Sequence, residues 1–174
     1  MRLWCDRMSS PIGTVLFVSD GDALRALDFE DCEDRMHRLL RRQYGAFAME
    51  PGRVPGDTRR RLHAYFDGEL AALDTIPVRT GGTAFQRRVW TALRTIRAGT
   101  TTTYGRLAAT LGAPNASRAV GLANGANPVA IVVPCHRVIG AAGLTGYGGG
   151  LARKAWLLRH EDCGAASLRQ SDPA

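Results

Sequence analysis

A seven-residue break, Ile76-Pro77-Val78-Arg79-Thr80-Gly81-Gly82, divides this chain, because the residue patterns on its two sides call for different structure. Proline fixes φ and lacks an amide proton, and glycine weakens any element interior, so the stretch reads as a linker. Before it, Thr14 to Val18 and Leu24 to Phe29 read as strands, with Ser19-Asp20-Gly21-Asp22 as the turn between them. Glu33 to Tyr44 carries Met36, Leu39 and Leu40 at helical spacing. Arg59 to Phe66 reads as a second helix with Leu62, Tyr65 and Phe66 inward, its Arg59-Arg60-Arg61 run forming a solvated face. Residues 1–78 therefore read as a small α/β domain, and nothing in it looks catalytic. Cys5, Cys32, His37 and His63 match no usual zinc-ligand spacing.

After the break, Thr83-Ala84-Phe85-Gln86 has the form of a capping box, with Gln86 reaching back to the Thr83 cap. Phe85, Val89, Leu93 and Ile96 follow at helical spacing, and Gly99 ends that helix. Two short helical stretches come next, Thr103 to Gly112 and Ala116 to Ala126, about a break at Ala113-Pro114-Asn115. Such a pair suits a helix-turn-helix. In the second, Ala116, Ala119, Gly121, Ala123, Gly125 and Ala126 are all small and Arg118 is the only charge. So little bulk permits either close approach to a sugar-phosphate backbone or tight packing inside the protein.

Charge is unevenly shared. Residues 1–78 hold 11 arginines against 13 acids, whereas residues 79–163 hold ten arginines and one lysine against two acids, a net of +9. Coding bias explains arginine in place of lysine, but not the loss of acids from one half. The second half has the electrostatic footprint of a polyanion binder. With 45% hydrophobic and 22% charged residues, the composition is that of a globular chain, not a disordered one. No apolar run approaches the ~20 residues of a bilayer span, and Met1-Arg2-Leu3-Trp4-Cys5-Asp6 opens no signal peptide. The expectation is a soluble, cytoplasmic, monomeric protein with no membrane partner. Its four cysteines, Cys5, Cys32, Cys135 and Cys163, are then free thiols.

The apolar run Val129-Ala130-Ile131-Val132-Val133 reads as a buried strand, and it ends in Pro134-Cys135-His136-Arg137-Val138. A cysteine there is ordinarily a small core residue. Three features point to a nucleophile instead. His136 and Arg137 turn the segment out of the core at once. The positive surroundings favour a thiolate over a thiol of pKa ~8.5. Gly143-Leu144-Thr145-Gly146-Tyr147-Gly148-Gly149-Gly150 could wall a pocket, and it fits neither a phosphate loop nor GxGxxG.

Asn127-Pro128, the Pro134-to-Val138 segment and Gly146-Tyr147-Gly148-Gly149-Gly150 together resemble the O6-alkylguanine-DNA alkyltransferases. Their order relative to Tyr104, Ser117-Arg118-Ala119-Val120-Gly121 and His160-Glu161 also matches. The match is strong over residues 80–162. It is loose over the first 78, where Ser10-Pro11-Ile12-Gly13 is clearest. The resemblance implies an α+β fold, a small ribonuclease H-like sheet with helices followed by a mostly helical domain with a helix-turn-helix. It implies DNA repair without a cofactor or metal, by stoichiometric transfer of the alkyl group from O6-alkylguanine, and from O4-alkylthymine, in double-stranded DNA to the protein's own cysteine. Cys135 would be the acceptor, His136 the base acting through a water, Glu161 the carboxylate that orients it, and Asn127 the residue that holds the turn. Tyr104 would crowd a phosphate and bond the flipped base, and Arg118 would fill the vacated stack. The helix bearing Ser117, Ala119 and Gly121 would enter the minor groove. Backbone groups of Cys135, Val138 and Gly148 would hold guanine's edge, with Tyr147 lining the pocket. Family members with zinc in the first domain use positions that here look like Asp20 and Arg25, which leaves zinc out.

On this reading residues 79–163 bind DNA and transfer the alkyl group, and 164–174 form a disordered tail. Two rival readings are a helix-turn-helix regulator without thiol chemistry and a Cys-His hydrolase. Neither accounts for both the thiol and the +9 segment.

Overall fold

The computed structural model describes residues 1–54 and 56–161, so Cys163 and the expected tail lie outside the described residues. They fall into two compact units, Met1–Thr83 with Pro128–Val132, and Ala84–Asn127 with the chain from Val133 onward.

The first unit is built on a four-stranded sheet. Its strands are β1 (Arg2–Met8), β2 (Val15–Ser19), β3 (Leu24–Phe29) and β4 (Ala48–Pro51), in the order β3-β2-β1-β4. β2 is antiparallel to both neighbours, and β4 adds to β1 in parallel. Every residue of β2 is buried, which is why it reads as an unbroken apolar run. α1 (Glu33–Tyr44) has acids in its first turn and Arg41 and Arg42 in its last, matching the helix dipole. It packs Met36 and Leu40 against Leu3, Leu16, Val18 and Ala26 of the sheet. α2 (Thr58–Phe66) buries Leu62 and Tyr65.

β1 and β4 are not visible in the sequence pattern. β1 carries Arg2, Asp6 and Arg7, yet it lies between β2 and β4, with Asp6 paired to Arg59 at 2.5 Å and Arg7 to Glu30 at 2.8 Å. Arg59 therefore leaves the solvated face expected of it. It also donates to the Arg7 carbonyl and lies 5.8 Å from the Phe17 ring centroid, while Arg60 and Arg61 pair with Asp57 in their own helix.

The stretch that reads as a linker is bonded into this unit. Leu24 N–H donates to the Pro77 carbonyl, Arg79 N–H to the Leu24 carbonyl, and Gly81 N–H to the Tyr44 hydroxyl. Asp20 and Arg25 pair with each other, Nε to Oδ2 at 2.8 Å. No cluster of metal-ligating side chains exists among the described residues, and none of their helices is long and apolar enough to cross a membrane.

The run 129–133 is buried throughout but is not a strand. It meets β3 by one bridge, with Leu27 N–H donating to Pro128 and Ala130 N–H to Leu27, both at 2.9 Å. Ile131 then takes φ +68°, and Val132 N–H closes a three-residue turn on the Ala130 carbonyl at 2.8 Å. That conformation is strained for a β-branched residue, and it ends the pairing.

The second unit is helical: α3 (Ala84–Leu93), α4 (Tyr104–Thr110), α5 (Ser117–Gly125) and α6 (Leu151–His160), with a short parallel ladder of β5 (Thr102–Thr103) and β6 (Val138–Ile139). α3 buries Val89, Trp90 and Leu93 and stops there; Ile96 follows in a turn, its N–H on the Leu93 carbonyl. The Thr103 side chain caps α4 by accepting from Arg106 N–H. α4 and α5 are the two short helices expected about the Ala113-Pro114-Asn115 turn, and they pack together. α6 is not expected from the sequence, because Lys154 sits on its buried face between apolar residues and spoils the binary pattern.

Candidate active site

The proposed nucleophile sits in a short helical turn, Cys135–Arg137, in the second unit. Pro134 at φ −81°, ψ 65° forms an inverse γ-turn, closed by Cys135 N–H on the Val133 carbonyl at 2.8 Å. Asn127 Nδ2 donates to that same carbonyl at 2.8 Å, so the Asn127 side chain fixes the turn before the thiol. Cys135 itself is 7% exposed.

The segment does not leave the core as the sequence predicts: Arg137 and Val138 are buried, because Glu161 and the Ile96 carbonyl receive the guanidinium, and His136 is fully buried with its Nε2 2.9 Å from Glu161 Oε1. Glu161 caps the C-terminus of α6 and is also held by Arg137, with Nε to Oε2 at 2.9 Å and Nη2 to Oε1 at 2.8 Å. Arg137 Nη1 donates in addition to the Ile96 carbonyl at 2.5 Å. Gly99, at φ +83°, makes room here, since a Cβ would stand 3.2 Å from the Glu161 carbonyl. Burial opposes ionisation of Glu161, but hydrogen bonds and charge from His136 and Arg137 overcome it and hold the carboxyl well below its ordinary range. Burial in turn pulls His136 down, with Arg137 and Lys154 adding repulsion that Glu161 only partly offsets. The resting state is thus a carboxylate and a neutral imidazole whose Nε2–H donates to Glu161. Nδ1, with no hydrogen-bond partner among the described residues, keeps its lone pair.

Lys154 of α6 is also fully buried. Its Nζ donates to the carbonyls of Val138 and Thr145 at 2.6 Å and of Gly146 at 3.1 Å. One ammonium thus joins the strand leaving the nucleophile to the glycine-rich loop. Burial lowers its pKa to about 8, against an opposing pull from Cys135.

Tyr104 opens α4, and burial raises its pKa against the lowering influence of Thr145 and Asn124, so it remains a proton donor at neutral pH. Its ring faces Gly121 of α5, where a Cβ would meet it at 3.8 Å. Ser117, Arg118 and Ala119 all lie on the exposed side of α5. Val138 is buried in β6; Tyr147 and Gly148 lie in the loop beyond, the former half-buried and the latter exposed. Hydrogen bonds thus join His136 to Glu161 and Asn127 to the turn before Cys135, while Arg118 and its neighbours stand on the open helix face. Three polar residues of this network were missed from the sequence: Asn124, Arg137 and Lys154. Lys154 had a signal, being the chain's only lysine among 22 arginines.

Known proteins match both units. The 6-O-methylguanine DNA methyltransferase ribonuclease-like domain matches residues 3–80, and the DNA-binding domain of the same enzymes matches residues 84–163. The chain belongs to the O6-methylguanine-DNA methyltransferase family. A methylated-DNA–protein-cysteine methyltransferase of Salmonella typhimurium is 52% identical over 165 residues, 92% of this chain and 96% of that protein. The Mycobacterium tuberculosis O6-methylguanine methyltransferase crystal structure superposes with TM-score 0.76 at 42% identity, covering 98% of this chain and 99% of that one. The same enzyme crystallised in complex with DNA gives TM-score 0.76 at 41% identity, covering 99% and 100%.

Proposed function

We propose that this methyltransferase repairs DNA by moving the alkyl group of O6-alkylguanine onto Cys135, once per molecule. The observation that carries the reading is the buried Cys135-His136-Glu161 arrangement, with Glu161 on Nε2 of a neutral histidine. Nδ1 is then the nitrogen able to take the thiol proton, through a water, and Glu161 steadies the imidazolium that results. Thiolate sulfur attacks the alkyl carbon, a carbon–sulfur bond forms, and the carbon–oxygen bond breaks. Guanine leaves with that electron pair and is neutralised by a proton, for which the Tyr104 hydroxyl is a suitable donor.

The base must leave the duplex to reach a thiol this buried, at a cost of a few kcal/mol. Arg118 offsets part of it by filling the gap from the exposed face of α5, with Ser117, Ala119 and Gly121 lying along the minor groove. Backbone groups of Cys135, Val138 and Gly148 hold guanine's edge beside Tyr147, and Asn127 keeps the turn in place. Residues 79–163 do this work and residues 1–78 support them, in a cytoplasmic monomer. The same pocket takes O4-alkylthymine.

A thioether does not hydrolyse, so excess O6-methylguanine duplex yields one repaired guanine per molecule. Mass spectrometry finds one added methyl on the peptide holding Pro134-Cys135-His136 and none at Cys5, Cys32 or Cys163. Cys135→Ser binds the lesion but transfers nothing. Repair well beyond one equivalent, or methyl on another cysteine, would refute the proposal.

A further inference from the structure

Asn124 is the one buried polar side chain on α5, 6% exposed on a helix otherwise made of small and apolar residues apart from Ser117 and Arg118. Its Nδ2 donates to the Cys135 carbonyl at 3.4 Å. The same side chain lies by the Tyr104 hydroxyl, where it and Thr145 of the glycine-rich loop both act to lower a pKa that burial raises. The helix cannot readily turn away from this arrangement, because Trp90 Nε1 of α3 holds the adjacent Ala123 carbonyl at 2.8 Å. Asn124 Oδ1 is buried and has no hydrogen-bond partner among the described residues. An unfilled buried acceptor is unfavourable, and an apolar side chain of similar size would avoid it. Stability therefore gives no reason for an amide at this position; the bond made by its nitrogen does.

We propose that Asn124 is a positioning residue for alkyl transfer, fixing the Cys135 carbonyl and the Tyr104 hydroxyl in mutual register before the base arrives. The inference rests on the reaction proposed above, in which those two groups hold guanine. It gives α5 a second task. Arg118 and Asn124 lie six residues apart on one short helix, one exposed and one buried. The helix that reads the groove thus also sets the pocket, and a fixed helix keeps the two in step. Preset donors and acceptors accelerate a reaction because they need no rearrangement as charge develops.

The test is Asn124→Leu in the full-length protein, alone and combined with Tyr104→Phe. Four quantities are measured: transfer from the free base O6-benzylguanine, transfer from O6-methylguanine duplex, iodoacetamide labelling of the Cys135 peptide, and the thermal midpoint. Both transfer rates should fall by about three- to tenfold, the equivalent of one hydrogen bond. Iodoacetamide labelling should stay at the wild-type rate, because the thiol itself is untouched, and the midpoint should stay within a few degrees. The double variant should fall short of the sum of the two single losses, since the interaction between Asn124 and Tyr104 is removed by either change. Wild-type transfer rates, a fully additive double variant, or parallel loss of labelling and transfer would overturn the inference. If Asn124→Leu does not fold, Asn124→Ser gives the same comparison. Wild-type protein runs alongside: failure of wild type to methylate Cys135 would refute the reaction, while normal wild-type transfer with an unimpaired Asn124→Leu would refute only the positioning role.

Discussion

Lys154 shows how a single residue can hold a site that it never enters. A fully buried ammonium whose hydrogen-bond partners among the described residues are three backbone carbonyls carries a desolvation penalty in the folded protein alone. Its pKa of about 8 lies below the ordinary lysine value, so at pH between the two the unfolded chain binds more protons than the folded one. Stability attributable to this group is therefore lowest below pH 8 and rises toward the ordinary lysine pKa, by ~3 kcal/mol at most. Denaturant unfolding of wild type and Lys154→Met across that range should show the rise in wild type and its loss in the variant, and equal pH slopes would disprove it. The variant should also transfer more slowly, because the Val138, Thr145 and Gly146 carbonyls lose their common donor. At this scale the sequence was legible where chemistry is local. Pro134, Cys135 and His136 are adjacent in the chain, and their residue types alone suggest a proton-relaying nucleophile. Arg137 and Asn124 were opaque, since the groups that give them purpose, Glu161 and Ile96 for one and Tyr104 for the other, are distant in sequence.

Among the elements, α5 carries the clearest division of labour. Its open side presents Ser117, Arg118 and Ala119 together with Leu122, which is 72% exposed. Of the two readings left open by its small residues, tight packing is realised on one side, where Gly121 faces the Tyr104 ring and the Ala123 carbonyl accepts from Trp90 Nε1; Ser117, Arg118 and Ala119 are exposed. If Arg118 fills the stack after base extrusion, Arg118→Ala should slow repair of duplex DNA by at least tenfold, a few kcal/mol of unstacking being at stake. Reaction with free O6-benzylguanine should barely change, because nothing is extruded. Single-turnover rates on the two substrates decide it, and equal losses would remove Arg118 from that role. Helices with a clean apolar face, such as α1, were readable from spacing. β1 and α6 were not, because Asp6 and Lys154 on them are paired or bonded inside the fold, and β4 is four residues long and mostly exposed. The strand expected over 129–133 fails for a different reason: the turn at Ile131 is a backbone event that no apolar pattern announces.

For the molecule as a whole, the +9 carried by residues 79–163 should make DNA affinity fall steeply with salt as counterions are released. Titrations of undamaged duplex between about 50 and 200 mM salt test this, and a flat response would contradict it. The α+β class and the change of character near residue 80 were open to reading, because patterning and charge both switch there. The interleaving was hidden. Pro128–Val132 belongs to the first unit although Asn127 and Val133, on either side of it, belong to the second. The two family domains, which match the chain side by side, are therefore not independent pieces of cloth that a pair of scissors could separate at residue 80. A fragment of residues 84–163 would keep Cys135, His136 and Glu161 but strand Val129, Ala130 and Ile131 away from the β3 backbone that receives them. Expressed alone, it should be aggregation-prone and slow to transfer, and adding residues 1–83 in trans should restore solubility and rate together. Inheritance meets the same constraint as the bench: residues 84–163 exchanged between genes without a matching sheet should leave Val129, Ala130 and Ile131 without the backbone they bond, so the half with no proposed catalytic residue still decides whether the other half can be borrowed.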